Sequence, residues 1–252
     1  MNPWVRLVLA TGAVIAAALL LKVLPPFVVL AMLVVGVAAL SWTLRKRSKV
    51  EAVHGQATLL GLRREAGDPF GLRALPLSLF GRAPEGSIED LMWGSWRGVE
   101  VRAFDYVFPS PLPGGSEVRR AFSCALGSIG ASAPPVVVEP QSFVTMFPGP
   151  PELDRVDVGG GRFANLFEVR SSDVDLARSL LSDRMIEWLL ELDETWGFEV
   201  HERAALAYGP GPARAEPSQA LDALTGFLDR LPESVRHPAS GGPEATVRPS
   251  DG

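Results

Sequence analysis

Beyond Lys49 the chain contains no lysine; the 203 residues that follow use arginine as their only strong base. A Walker A phosphate loop, a kinase-type ATP lysine, a Schiff-base lysine and a Ser-x-x-Lys nucleophile are therefore excluded from them. Cys124 is the only cysteine, so no intramolecular disulfide, CxxC redox pair or cysteine-based zinc site can form. The three histidines, His54, His201 and His237, are scattered and show no His-x-x-x-His spacing. No metal and no cofactor is expected. Acid is missing from residues 1–50, which carry six bases, so the remaining residues hold a net charge of −11 against −5 for the whole chain. An acidic domain lacks the excess of Lys and Arg that phosphate contacts need, and nucleic acid is not an expected partner.

What is present begins with two apolar runs. Trp4 to Leu24 is apolar except for Arg6, Thr11 and Lys22, and Phe27 to Leu44 has only Ser41 and Thr43 as polar residues. Each is long enough, at about 1.5 Å per helical residue, to cross a hydrocarbon core of about 30 Å. Pro25-Pro26 breaks the helix between them. These features predict a transmembrane hairpin within residues 1–49, with spans at 4–24 and 27–44. The cluster "RKRSK" after the second span predicts an inner-membrane protein with both termini in the cytoplasm and an integral contact with the bilayer.

Residues 50–236 read as a cytosolic α+β domain, an antiparallel β-sheet covered by two or three helices, and the Pro/Gly/Ser-rich residues 237–252 as a disordered tail. A helix is expected from Val50 to about Leu60. Leu91–Trp96 and Val99–Phe108 flank Arg97-Gly98 as a hairpin pairing Trp96 with Val99, Trp93 with Arg102 and Leu91 with Phe104. Val99, Val101, Ala103, Asp105 and Val107 then share the expected core face. Further strands are expected at Arg119–Ile129, Pro135–Pro140, Asp154–Val158 and Asn165–Arg170, and a last hairpin at Phe198–His201 and Ala204–Tyr208. Ser171-Ser172-Asp173 signals an N-cap. From there Ala177, Leu180, Leu181, Met185, Trp188, Leu189 and Leu192 form the stripe of one helix to Leu192. Leu221, Leu224, Phe227, Leu228 and Leu231 mark the inner face of a final helix over Ser218–Leu231.

Two blocks, "MWGSWRGVEVRAFDYVF" and "RFANLFEVRSSDVDLARSLLSDRMIEWLL", resemble those of an actinobacterial-type family of membrane proteins of unknown function. The positions that carry the likeness are Gly94, Trp96, Gly98, Val101, Phe104, Asp105 and Tyr106, then Phe167, Val169, Ser171, Asp173, Ala177, Arg178 and Leu181. The resemblance implies one or two N-terminal spans and a cytosolic domain. It implies no activity, ligand or catalytic residue.

The candidate site residues are Asp105, Arg178 and His201. Asp105 is a carboxylate on an apolar face, which must be hydrogen-bonded or protonated. Its structural reading is a pairing with backbone amides or an arginine. Arg178 reads alternatively as a salt bridge, and Asp173 as a helix cap. His201 on a late strand serves as a general base only with a positioned partner. Gly159-Gly160-Gly161 with Arg162 is either an anion cradle or a turn. Cys124 reads as a small buried hydrophobe, and Trp93 with Arg102 as a cross-strand cation–π pair. Three functions fit these residues. The first is a membrane-tethered interaction or adaptor module without catalytic activity, binding a protein at the cytoplasmic face. The second is a sensor of a small ligand or lipid-derived signal. The third is a hydrolase using Asp105 and His201. No catalytic residue is assigned.

Overall fold

The computed structural model describes residue 35 and residues 56–111, 115, 117–146, 149–192, 195–211 and 216–236. Among the described residues seven strands form one antiparallel sheet. They are β1 (Arg63–Arg64), β2 (Ser87–Trp96), β3 (Val99–Pro111), β4 (Glu117–Pro140), β5 (Asp154–Arg155), β6 (Phe167–Ser171) and β7 (Gly197–Pro210). The described residues also include the helices α1 (Ser78–Arg82), α2 (Gln141–Met146), α3 (Gly161–Leu166), α4 (Val174–Leu180), α5 (Asp183–Glu191), α6 (Pro217–Leu228) and α7 (Glu233–Arg236), a 3-10 turn at Leu72–Ala74 and helical residues 56–59.

The organising element is β4, 24 residues long. On one edge its first half pairs with β3 and its second half with β6, while β7 runs along the other edge of both halves. The pairing with β7 slips between Ser128 and Val136, the interval between the two strands expected from sequence. They are one strand with an irregular middle. The expected terminal hairpin is likewise one strand, β7. Glu202 lies opposite this slip with φ 51°, and the chain holds no Asn-Gly-type pair there to reverse its direction.

The β2–β3 hairpin follows its turn chemistry. Arg97 and Gly98 both have positive φ, 49° and 82°, as a two-residue type I′ turn demands. Trp96 pairs with Val99 and Trp93 with Arg102, as expected. The third pairing fails. Asp90, at φ 52°, makes a bulge between Glu89 and Met92, so Met92 faces Ala103 and Glu89 faces Asp105.

Both faces of the sheet are covered. On the first, α6 lays Leu221, Leu224, Phe227 and Leu228 against the strands, with Phe227 stacked on Phe198 at 4.7 Å. Gly127 lets the helix approach, because a Cβ there would stand 3.2 Å from Leu224. Burial of a side chain such as Phe227 contributes roughly 2–3 kcal/mol. The stripe from Ala177 to Leu192 belongs to two helices, α4 and α5, broken at Leu181-Ser182 where the chain becomes extended. Asp173 caps α4 as expected, accepting from the Leu176 amide at 2.9 Å.

The second face carries Phe104, Tyr106, Phe108, Phe122 and Tyr208, covered by the segment from Leu72 to Ala83. The sequence reading placed the hairpin core on the Val101–Ala103 side alone; the structure buries both sides.

The expectation of a two-helix transmembrane hairpin is corrected. Among the described residues no helix is long and apolar enough to cross a membrane. The longest, α6, has 12 residues, about 18 Å of helix against about 30 Å of hydrocarbon. The spans at 4–24 and 27–44 lie outside the described residues save for residue 35, as do Val50 to Gly55 and the tail 237–252. The described residues thus form a mostly antiparallel β-sheet domain with several helices. An integral two-span membrane contact and an inner-membrane location with both termini cytoplasmic are not supported and are set aside.

Candidate functional site

Where β4, β6 and β7 lie side by side, the second face turns from apolar to ionic. Alternation along β4 puts Val137 and Glu139 on it, and the register adds Glu199, Glu168 and Arg170. Glu139, Glu168 and Glu199 are all buried, at 2 %, 6 % and 0 % exposure. Three carboxylates on one buried face require compensation, since an unpaired buried charge costs several kcal/mol.

Each finds it. Arg82, at the end of α1, grips Glu139 with two nitrogens at 2.7 and 3.1 Å, and the Tyr208 hydroxyl donates to the same carboxylate at 2.5 Å. Burial alone would lower the Arg82 pKa, but its interactions with Tyr208 and with the Glu139 carboxylate hold it above the ordinary arginine value, so Arg82 stays protonated. Burial pushes the Tyr208 phenol well up, and the Glu139 charge adds to the effect, so Tyr208 remains a donor. Glu168 takes Arg170 at 2.6 Å and lies 3.6 Å from Arg155. This separates two carboxylates, Glu139 and Glu168, that stand directly opposite each other in the ladder. Glu199 accepts from the Ser78 amide at 2.5 Å, the Ser78 hydroxyl at 2.9 Å and the Leu79 amide at 3.3 Å. It thereby satisfies first-turn donors of α1 that have no partner inside the helix. Burial raises the Glu199 pKa, and these donors with the Arg82 charge offset only part of the rise.

This network pins the strap of residues 70–84 across the sheet and leaves a cleft on each side of it. The larger, about 450 Å³, is bordered by Arg73, Leu77, Ser78, Glu152, Glu199 and His201. The smaller, about 330 Å³, lies between the strap and the β3, β4 and β7 strands, with Phe70, Leu126 and Arg102 in its lining. Pro76 and His201 border both. His201 Nδ1 contacts the Pro76 carbonyl. A carbonyl only accepts, so Nδ1 carries the proton there.

The residues singled out in the sequence are not brought together. Asp105 lies level with Ser123 and Gly209, accepts from the Ser123 hydroxyl at 3.1 Å, and shares the α6 side of the sheet with Ala103. His201 is on the strap side, eight residues along β7, roughly 25 Å at strand rise. No acid–base pair joins them. His201 does share the larger cleft with Ser78, but the Ser78 hydroxyl goes to Glu199 and the His201 Nδ1 to Pro76, so no nucleophile–base hydrogen bond exists. Arg178 is exposed on the outer side of α4 and makes no ion pair among the described residues. Gly159-Gly160-Gly161 leads into the six-residue α3 with φ of 79°, 46° and 53°. Cys124 is buried beneath the strap with its thiol pushed well up by burial. Trp93 receives Arg63 at 5.3 Å, while its ladder partner Arg102 stacks on Phe70 at 4.9 Å. Among the described residues no group of three or more His, Cys, Asp or Glu is placed to hold a metal.

The sequence reading passed over Glu139, Glu168, Glu199 and Arg82. Their signal was an acid inside an apolar strand run, in "VVVEP", "LFEVR" and "FEVHE". With one covered face, alternation would send those acids to solvent.

No family model and no curated protein matches this chain. Among solved structures it is similar to the mycobacterial trehalose monomycolate transport factor A, TtfA. The likeness has a TM-score of 0.53 at 16 % identity and covers 71 % of this chain and 94 % of that one. At that identity the two share a fold. Of the family resemblance in the sequence, what stands is this neighbour of actinobacterial type.

Proposed function

We propose that the domain is a non-catalytic adaptor that binds a partner protein along the larger cleft beside the strap. One observation carries the reading: Glu199 and His201 at this cleft are engaged in holding the strap, and no acid–base or nucleophile–base pair joins the residues of its lining. Glu199 is occupied by α1, and His201 Nδ1 by Pro76. Chemistry on a substrate needs such a pair within hydrogen-bond reach. The fold neighbour, a transport factor by its name, supports a role in assembly around a transport process. The net charge of −11 beyond residue 50 favours a basic partner and gives the association a salt dependence.

The test is a photo-crosslinking residue placed at Arg73, on the rim of the cleft, in cells producing the full chain. A discrete adduct of constant mass, weakened by salt in a reconstituted pair, is expected. The same probe at Arg184, exposed on α5, should give none. Equal labelling from both positions would refute a cleft-centred adaptor.

A further inference from the structure

The smaller cleft holds an arginine that the rest of the fold does not use. Arg102 projects from β3 into it, with its guanidinium 4.9 Å from the Phe70 ring centre. Its Nε is buried without a hydrogen-bond partner, and it makes no ion pair among the described residues. Three other arginines of the domain differ in having an ion-pair partner. Arg64 is paired with Asp90, Arg82 with Glu139 and Arg170 with Glu168. Arg203, from β7, enters the same cleft from its exposed side and also has no ion pair among the described residues. Glu202 is the one acid in the lining; it is exposed and bridges neither arginine. Beneath these charges lie Phe70, Leu72 and Leu126.

A guanidinium stacked on an aromatic ring keeps its in-plane donors free, and those donors match the two oxygens of a carboxylate or phosphate. A half-buried cation left without its anion is a cost that a ligand would remove. The volume of about 330 Å³ stands at the small end of ligand sites. An acidic chain does not collect anions by general attraction, so any anion bound here must be held locally.

From these contacts we infer that this cleft binds a small organic anion. Arg102 holds one carboxylate or phosphate group, Arg203 closes over it, and a compact apolar body lies on Phe70, Leu72 and Leu126. This goes beyond the adaptor reading and does not depend on it, because the two clefts are separated by the strap.

Calorimetric titration of the purified full chain tests it, with benzoate and phenyl phosphate as probes. Benzyl alcohol serves as the neutral control and inorganic phosphate as the control without an apolar body. Both organic anions should bind one to one and raise the melting temperature. Inorganic phosphate should bind about tenfold more weakly, and benzyl alcohol not measurably. Arg102→Gln should weaken both organic anions by about tenfold or more, and Arg203→Gln by less. If Arg102→Gln does not fold, Phe70→Ala supplies the second reading, since Phe70 is 39 % exposed and its loss should weaken the organic anions while sparing inorganic phosphate. The inference is overturned if neither organic anion binds, if benzyl alcohol binds as well as benzoate, or if Arg102→Gln or Phe70→Ala leaves organic-anion affinity unchanged. None of these outcomes alters the crosslinking result at Arg73.

Discussion

Arg82 and Glu139 meet in a two-pronged ion pair at 2.7 and 3.1 Å with both side chains almost wholly buried, at 7 % and 2 % exposure. The pair ties α1, and with it the strap, to the C-terminal end of β4. Removing one partner leaves a buried charge. Arg82→Ala should cost roughly 3–5 kcal/mol in urea unfolding, whereas Arg82→Met with Glu139→Leu should cost far less than either single truncation. A loss under about 1 kcal/mol for Arg82→Ala would show that the strap is not anchored there.

Glu199 sets a pH dependence. Its folded pKa is raised above the usual 4.5, chiefly by burial. Between the unfolded and the folded value the native state binds more protons than the unfolded chain. The stability from this group is therefore full below the unfolded value and falls as pH climbs through the folded one. Glu199→Gln should flatten the melting temperature between pH 4.5 and neutrality. A variant whose profile keeps the same slope would place the titration elsewhere.

The two-helix stretch offers a graded test. Leu189 on α5 is fully buried, Trp188 is half-buried against Phe198 at 5.5 Å, and Glu187 is exposed. Leu189→Ala should cost about 2–5 kcal/mol and Trp188→Ala about 3. Glu187→Ala should change stability by about 0.5 kcal/mol or less. Equal losses at all three positions would mean that α5 presents a different face.

At the β2–β3 turn, Gly98 has φ 82° and Arg97 φ 49°. Gly98→Ala should destabilise by about 1 kcal/mol or more, since a side chain is strained at that φ. Arg97→Asn should be close to neutral. Asparagine suits the left-handed conformation, and the ion pair it gives up, Arg97 with Asp222 at 2.9 Å, is largely exposed. Chemical denaturation of the two variants separates these effects; a larger loss for Arg97→Asn would assign the turn's stability to the ion pair.

Asp105 accepts a hydrogen bond from the Ser123 hydroxyl at 3.1 Å at a half-buried position. Asp105→Ala should cost on the order of 1 kcal/mol, and Asp105→Asn less. A rise in melting temperature for both variants would instead mark strain of the kind functional sites carry.

By itself the sequence determined what depends on near neighbours along the chain. Arg97-Gly98 is a turn because glycine accepts positive φ, Asp173 is a cap because its side chain reaches an amide three residues on, and the stripe on α6 repeats at the helical period. Phe104 and Asp105 show where such reasoning stops. Alternation assigned them to opposite faces, but nothing in it said that both faces are covered, so the aromatic side was read as outer and Asp105 as the buried anomaly. The covering strap precedes the β2–β3 hairpin in the chain, outside the window that strand alternation reads. Tertiary structure alone decided that β4 is central, that Glu139, Glu168 and Glu199 converge beneath that strap, and that Asp105 and His201 stand apart. The physical reason is that a buried charge is tolerable only beside its counter-charge. Arg82 lies 57 positions from Glu139, and Ser78 lies 121 positions from Glu199. No local pattern encodes contacts at that separation.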